Sequence, residues 1–198
     1  MDHIVKQAMA KWPEVPHCYG WLALDARGAW RMRDEQAQRQ NLPGDKIVHA
    51  ALLGFIHRNY GVDAEGRWYF QNGPQRVYID LALTPYIAHT DPTLGFVLQT
   101  GEAMSAIDAA MLTEQGRLLL IGNGKVAALD DRDLAQCLAG LRMDDNIVAD
   151  ERLLGWLTDP ADDGVLTWQY AGTDLPVQRI AQENIAAHFG FVLQPRQA

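Results

Sequence analysis

Short apolar runs broken by Gly, Asn and Asp alternate along this chain with longer stretches of helical period. The run Gly66-Arg67-Trp68-Tyr69-Phe70-Gln71-Asn72-Gly73 ends in Asn-Gly, a strong hairpin signal, and leads into a second strand from Arg76 to Leu81. Gly116-Arg117-Leu118-Leu119-Leu120-Ile121-Gly122-Asn123-Gly124 repeats that plan with one residue inserted and leads into Lys125 to Leu129. Alternation places Trp68 and Phe70 on one face of the first hairpin, and Tyr69, Gln71 and Arg76 on the other. Helical spacing predicts three main helices and a short one. Asp45 to Tyr60 is apolar from Ile47 to Ile56 except for His49, which predicts a central, buried helix. Asp130 to Met143 opens on an N-cap aspartate and carries Leu134, Cys137, Leu138 and Leu141 at i, i+3, i+4 and i+7. Ala181 to Phe189 is the third, and Met1 to Ala10 is the short one. Asp159 to Gly164 reads as a surface loop.

The strands are entered through a recurring turn. Leu24-Asp25-Ala26-Arg27-Gly28-Ala29-Trp30 recurs as Val62-Asp63-Ala64-Glu65-Gly66-Arg67-Trp68 and as Leu112-Thr113-Glu114-Gln115-Gly116-Arg117-Leu118. Asp bonds its own backbone in turns, and Gly supplies a positive φ before the strand resumes. A fainter copy is Asp163-Gly164-Val165-Leu166-Thr167-Trp168. The expected fold is α+β: antiparallel hairpins and meanders in a repeated turn-strand motif, packed against a few helices. Residues 1–99 form a first half with a buried central helix and an aromatic hairpin. Residues 100–198 form an acidic second half, a candidate structural repeat sharing one compact unit with the first.

Composition adds exclusions. The chain has 198 residues, 48% of them hydrophobic, and a net charge of −8. Residues 1–99 balance ten Lys/Arg against ten Asp/Glu; residues 100–198 hold seven against fifteen and carry the whole excess. No basic run exists, which argues against nucleic-acid binding. No stretch approaches a membrane span, and Met1 to Trp12 forms no apolar leader, so a cytoplasmic location is expected. Cys18 and Cys137 lie in no metal or redox spacing, and Cys137 reads as a core residue.

Familiar chemistry is scarce. No phosphate-loop motif occurs, and Gly122-Asn123-Gly124-Lys125 reads as a hairpin turn. The one serine, Ser105, lacks a nucleophile elbow. His17 and Cys18 are adjacent, so a strand would point them to opposite faces. His49 and His57 lie two turns apart on the expected helix, too far to share an ion unaided. His89 and Asp91 are a local His/carboxylate pair on one side of a strand end. The acidic loop lacks calcium-loop ligand spacing, with Ala161 and Tyr170 at ligand positions. No metal, cofactor or catalytic residue is assigned. The candidate ligand-binding set is Tyr69, Gln71, Arg76 and Tyr78 on the aromatic hairpin, with His49, His89 and Asp91.

The order Gly28-Ala29-Trp30, apolar helix, Gly66-Arg67-Trp68-Tyr69, Arg76-Val77-Tyr78-Ile79 and Thr84-Pro85-Tyr86-Ile87 resembles the layout of an uncharacterised proteobacterial family, DUF1285 and its relatives. The resemblance covers about residues 20–90. It implies an α+β fold of repeated motifs, no assigned activity and a suggested role in signalling, and it brings no functional residues. The expected function is non-catalytic binding of a small molecule or protein partner, by a monomer or homodimer. An enzyme with a dispersed site near His89 and Asp91 is the alternative. A third reading is an assembly protein that dimerises through exposed strand edges.

Overall fold

The structure, a computed structural model, describes residues 1–144 and 146–197. The chain forms two compact units, one of residues 1–85, 99–101 and 186–197, the other of residues 86–98 and 102–185. The chain first passes from one unit to the other at 85/86, and residues 99–101 and 186–197 belong to the first unit.

The first unit contains α1 (His3–Lys11), β1 (Cys18–Leu24), β2 (Trp30–Met32), α2 (Glu35–Arg39), β3 (Asp45–Lys46), α3 (Ala50–Arg58), β4 (Tyr60–Val62), β5 (Trp68–Asn72) and β6 (Gln75–Leu81). Among the described residues its sheet runs β3-β2-β1-β6-β5-β4. The second unit contains β7 (Tyr86–Asp91), β8 (Gly95–Leu98), β9 (Ala109–Thr113), β10 (Leu118–Gly122), β11 (Lys125–Leu129), α4 (Leu134–Leu138), β12 (Leu141–Met143), β13 (Asn146–Ile147), α5 (Asp150–Thr158), β14 (Leu166–Tyr170) and β15 (Thr173–Ile180). Its sheet runs β13-β12-β14-β15-β9-β10-β11-β7-β8. A last helix, α6 (Ile185–Phe189), follows in the chain. The fold is α+β, with two mixed sheets. Most pairings are antiparallel, as hairpins require, but β1–β6, β7–β11 and β9–β15 are parallel.

One strand order occurs in both sheets. In β4-β5-β6-β1-β2 and in β9-β10-β11-β7-β8, successive pairings are antiparallel, antiparallel, parallel and antiparallel. The turns have a local cause. Asp25 accepts hydrogen bonds from the Arg27 and Ala29 N–H groups, and Asp63 accepts from Glu65 and Arg67 in the same positions. Thr113 Oγ1 accepts from Arg117 N–H. In all three, the Gly N–H donates to the first residue's carbonyl, and the glycine has a φ of 76–77°. Gly66 is further constrained, because a Cβ there would lie 2.2 Å from the Gly190 carbonyl oxygen. The fainter copy at Asp163 forms no such turn: Gly164 N–H donates to Asp162 instead.

The two hairpins turn differently. Gly122 pairs with Lys125 across Asn123-Gly124, both with positive φ, as a type I′ turn requires. The other hairpin turns on Gly73-Pro74, not on Asn72-Gly73, since Asn72 pairs with Gln75. An Asn-Gly turn there would put Pro74 opposite Gln71 in the ladder, where proline has no N–H to donate. The inserted residue suggested by the sequence therefore disappears, and Asp63 to Asp80 corresponds position for position to Thr113 to Asp130.

Two helix expectations are corrected. The apolar run from Asp45 yields a helix only from Ala50, and Ile56 is its buried residue. Residues 45–46 pair as strand β3 instead, and Val48, His49, Ala50 and Ala51 are exposed. The expected helix to Met143 ends at Leu138, because Leu141–Met143 pairs with β14. Helix α5 was not evident from the residue pattern. Cys137 is buried, and burial pushes its thiol up to about 11. The second unit's core gathers Phe96, Leu118, Leu120, Trp156 and Trp168 between its strands and helices.

Candidate functional site

The pairings sort the first sheet's side chains into two unlike faces. Leu22, Leu24, Trp30, Phe70, Ile79 and Leu81 share one face and are buried. Helix α3 packs on it, its Phe55 ring meeting Phe70 edge-on at 5.3 Å. Trp30 donates its indole N–H to His57 Nε2 at 3.0 Å, and burial lowers the His57 pKa. The neutral ring is the acceptor, so protonation breaks this bond. Folded His57 takes up a proton less readily than unfolded His57, so its contribution to stability is complete above about 6.5 and declines as pH falls below that value. The melting temperature is expected to drop from pH 7.5 to pH 5. The drop should be shallower in His57→Gln, which keeps an acceptor for the indole; equal slopes in the two proteins would contradict the assignment.

The opposite face is polar and aromatic. Registers Ala23–Arg31, Ala23–Asp80, Tyr69–Tyr78 and Gln71–Arg76 place these residues side by side across four strands. Tyr78 is at its centre. Its ring stacks on Tyr19 at 4.8 Å, and the Arg67 guanidinium lies 4.9 Å above it. Its hydroxyl donates to Asp63 Oδ2 at 2.9 Å. Burial, foremost, raises the Tyr78 pKa. Burial also acts to raise Asp63, but hydrogen bonds from Arg67 and Tyr78 outweigh it and hold Asp63 below the usual carboxylate range. Arg76 stacks over Tyr69 at 4.6 Å. Gln71 is 1% exposed; its amide N–H donates to the Gly73 carbonyl, while its Oε1 has no partner among the described residues.

Beside this row is a buried ion cluster. Arg33 donates from Nη1 to Asp80 Oδ2 at 2.6 Å, from Nε to the Leu42 carbonyl and from Nη2 to Asn41 Oδ1. Arg196, from the C-terminal segment, donates to Asp80 Oδ1 at 2.7 Å. Arg33 and Asp80 are 8% and 5% exposed. Clefts of about 270 and 180 Å³ open on this cluster, and Arg33, Asn41 and Asp80 line both.

The second unit holds a His–carboxylate pair of its own. His89 Nδ1 lies 3.2 Å from Oδ2 of Asp130, whose side chain is fully buried. Asp130 also accepts from the Arg132 backbone N–H and guanidinium. Burial acts to raise its pKa, but the Arg132 bonds prevail and hold it at about 2. Asp91 instead accepts from the Thr93 and Leu94 N–H groups, which lower its pKa.

A family model described as a protein of unknown function (DUF2946), bearing the family name DUF2944, matches residues 1–196. The chain belongs to this family. Two solved structures are similar to this DUF2944 chain. A DUF1285 family protein from Silicibacter pomeroyi DSS-3 matches 89% of this chain and 94% of its own, at 12% identity and a TM-score of 0.49. A DUF1285 family protein from Shewanella baltica OS155 matches 57% of this chain and 85% of its own, at 12% identity and a TM-score of 0.38. An uncharacterised family is what the turn-and-strand layout pointed to, and DUF1285 is the family it resembled. No curated protein matches.

In this DUF2944 member the candidate residues Tyr69, Gln71, Arg76 and Tyr78 stand together on the polar face. His49 is not on it: it is exposed and caps α3, its Nδ1 accepting from Leu52 N–H. His89 and Asp91 belong to the second unit. Asp80 escaped the sequence reading, and Asp130 was read there as a helix cap but not as the partner of His89. Their signal is a shared spacing, each fourteen residues after the glycine of its turn, Gly66 or Gly116. Among the described residues, no group of three or more His, Cys, Asp or Glu is placed to hold a metal ion. No helix among the described residues is long and apolar enough to cross a membrane.

Proposed function

We propose that this chain is a non-catalytic binding protein that takes a small ligand on the polar face of its first sheet and acts in regulation or signalling. The observation that carries this reading is the buried Gln71 Oε1, which has no partner among the described residues and is set beside Arg76 and Tyr69 on a face of arginines and tyrosines. A buried acceptor without a donor costs free energy, and a ligand N–H or O–H would satisfy it. On this reading the protein is cytoplasmic, monomeric or dimeric, and binds neither nucleic acid nor membrane. The recurring strand order and the matching turns support describing it as two copies of one structural unit, each elaborated differently.

A thermal-shift screen with small metabolites tests the reading. A ligand at a hundred times its Kd stabilises by about 2.7 kcal/mol. The shift is expected in the wild type and should be lost in Gln71→Leu and Arg76→Gln, with no turnover of the ligand. A screen without any shift, or a shift untouched by both substitutions, would refute it. The enzyme reading draws on a separate observation, the pairing of His89 with buried Asp130 in place of Asp91. Turnover abolished in His89→Ala would favour it.

A further inference from the structure

We infer that the cleft at Asp80 is a seat for a single oxyanion, the carboxylate or phosphate group of a small metabolite. This rests on the polar face being a ligand surface and names the chemistry of one part of it. The cleft of about 180 Å³ is lined by Tyr19, Gly20, Arg33, Gln38, Asn41, Asp80 and Arg196. Its charged lining among the described residues is two guanidiniums and one carboxylate, a surplus of one positive charge. The neighbouring Arg31 is already matched by Asp25 at 2.8 Å. A protein of net charge −8 therefore holds a local positive surplus, and it does so where one of the two guanidiniums is buried.

The donor inventory agrees. A guanidinium has five N–H groups. Arg33 uses one each from Nε, Nη1 and Nη2, which leaves one on each Nη without a partner among the described residues. Arg196 places Nη1 on Asp80 and the Pro195 carbonyl, and Nη2 on Asp80 and Gln194, which leaves Nε–H. An added cation would have to displace a guanidinium from Asp80. An added oxyanion meets spare donors and cancels the surplus, in the planar geometry for which arginine suits carboxylate and phosphate. Arg196 is held at the cleft by its own segment: the Leu193 carbonyl accepts from Leu81 N–H, and Pro195 is buried.

Arg196→Gln tests this without dismantling the fold, because the Arg33–Asp80 pair remains. Isothermal titration with inorganic phosphate and with succinate is run on the wild-type chain, Arg196→Gln and Arg76→Gln. Saturable binding of at least one probe is expected in the wild type. It should weaken about tenfold or more in Arg196→Gln, as expected when a charged donor is lost, and persist in Arg76→Gln. Phosphate binding alone assigns a phosphate ligand, and succinate binding alone assigns a carboxylate. No saturable binding of either probe, or equal binding by the wild type and Arg196→Gln, overturns the inference. A metabolite shift that depends on Gln71 and Arg76 but not on Arg196 would overturn it while leaving the polar face standing as a ligand surface.

Discussion

Asp80→Ala is expected to cost about 3–5 kcal/mol of stability, because it strands a buried guanidinium. The Asp80 side chain is 7% exposed and accepts from Arg33 on one side and Arg196 on the other. Among the described residues, the other two partners of the Arg33 guanidinium are neutral, the Leu42 carbonyl and the Asn41 amide. The penalty comes from the unpaired charge and exceeds what the pair itself contributes. A double replacement, Arg33→Met with Asp80→Leu, should therefore recover most of the loss. Arg196→Gln should cost under about 1 kcal/mol, because its side chain is 54% exposed and solvent screens the contact. Urea unfolding followed by tryptophan fluorescence gives all three values. An Asp80→Ala protein within about 1 kcal/mol of the wild type would show that Arg33 finds water or another acceptor on unloading.

Why Asp80 was invisible in the sequence while the turns were not is a matter of range. Asp25, Asp63 and Thr113 bond within four residues of themselves, so residue type and spacing reveal them. The face shared by Tyr69, Gln71 and Arg76 was legible for the same reason, since alternation within a hairpin is local. Arg33, Asp80 and Arg196 meet only because β1 lies parallel to β6 and the chain end returns to the first unit. Neither event leaves a local mark. The hairpin turn at Gly73-Pro74 shows a conflict inside the local rules: Asn-Gly is the stronger turn signal, but proline cannot occupy a paired strand position. Helix α3 shows another. An all-apolar run predicts burial, yet its first turn is exposed, because ladder bonds hold residues 45–46 on β2 and His49 caps the helix late. The His89–Asp91 pair was read from adjacency alone. The structure gives Asp91 to its own turn and His89 to Asp130, which lies forty-one residues further along the chain.

Asp130→Ala should be the second large loss, about 3 kcal/mol at pH 7. Asp130 occupies the position in β9-β10-β11-β7-β8 that Asp80 occupies in β4-β5-β6-β1-β2, one residue past β11, with His89 in place of Ala23 beside it. Removing the carboxylate takes away the cap on the 3₁₀ turn that follows, worth about 1 kcal/mol. It also removes charge-assisted bonds from Arg132, at about 1.5–3 kcal/mol for bonds of that kind, and takes away the carboxylate 3.2 Å from His89 Nδ1. The pH dependence separates this from a packing defect. Asp130 falls from an ordinary 3.8 to about 2 on folding. The folded state thus binds this proton less readily than the unfolded state. The associated stability, about 2 kcal/mol at 1.36 kcal/mol per pKa unit, is complete above 3.8 and lost as pH falls from there to about 2. The gap between wild type and Asp130→Ala should consequently narrow between pH 4 and pH 2.5, whereas a cavity effect would keep it constant. A gap that stays constant across that range would mean that Arg132 and His89 do not hold the charge on Asp130, and that the carboxylate serves the turn alone.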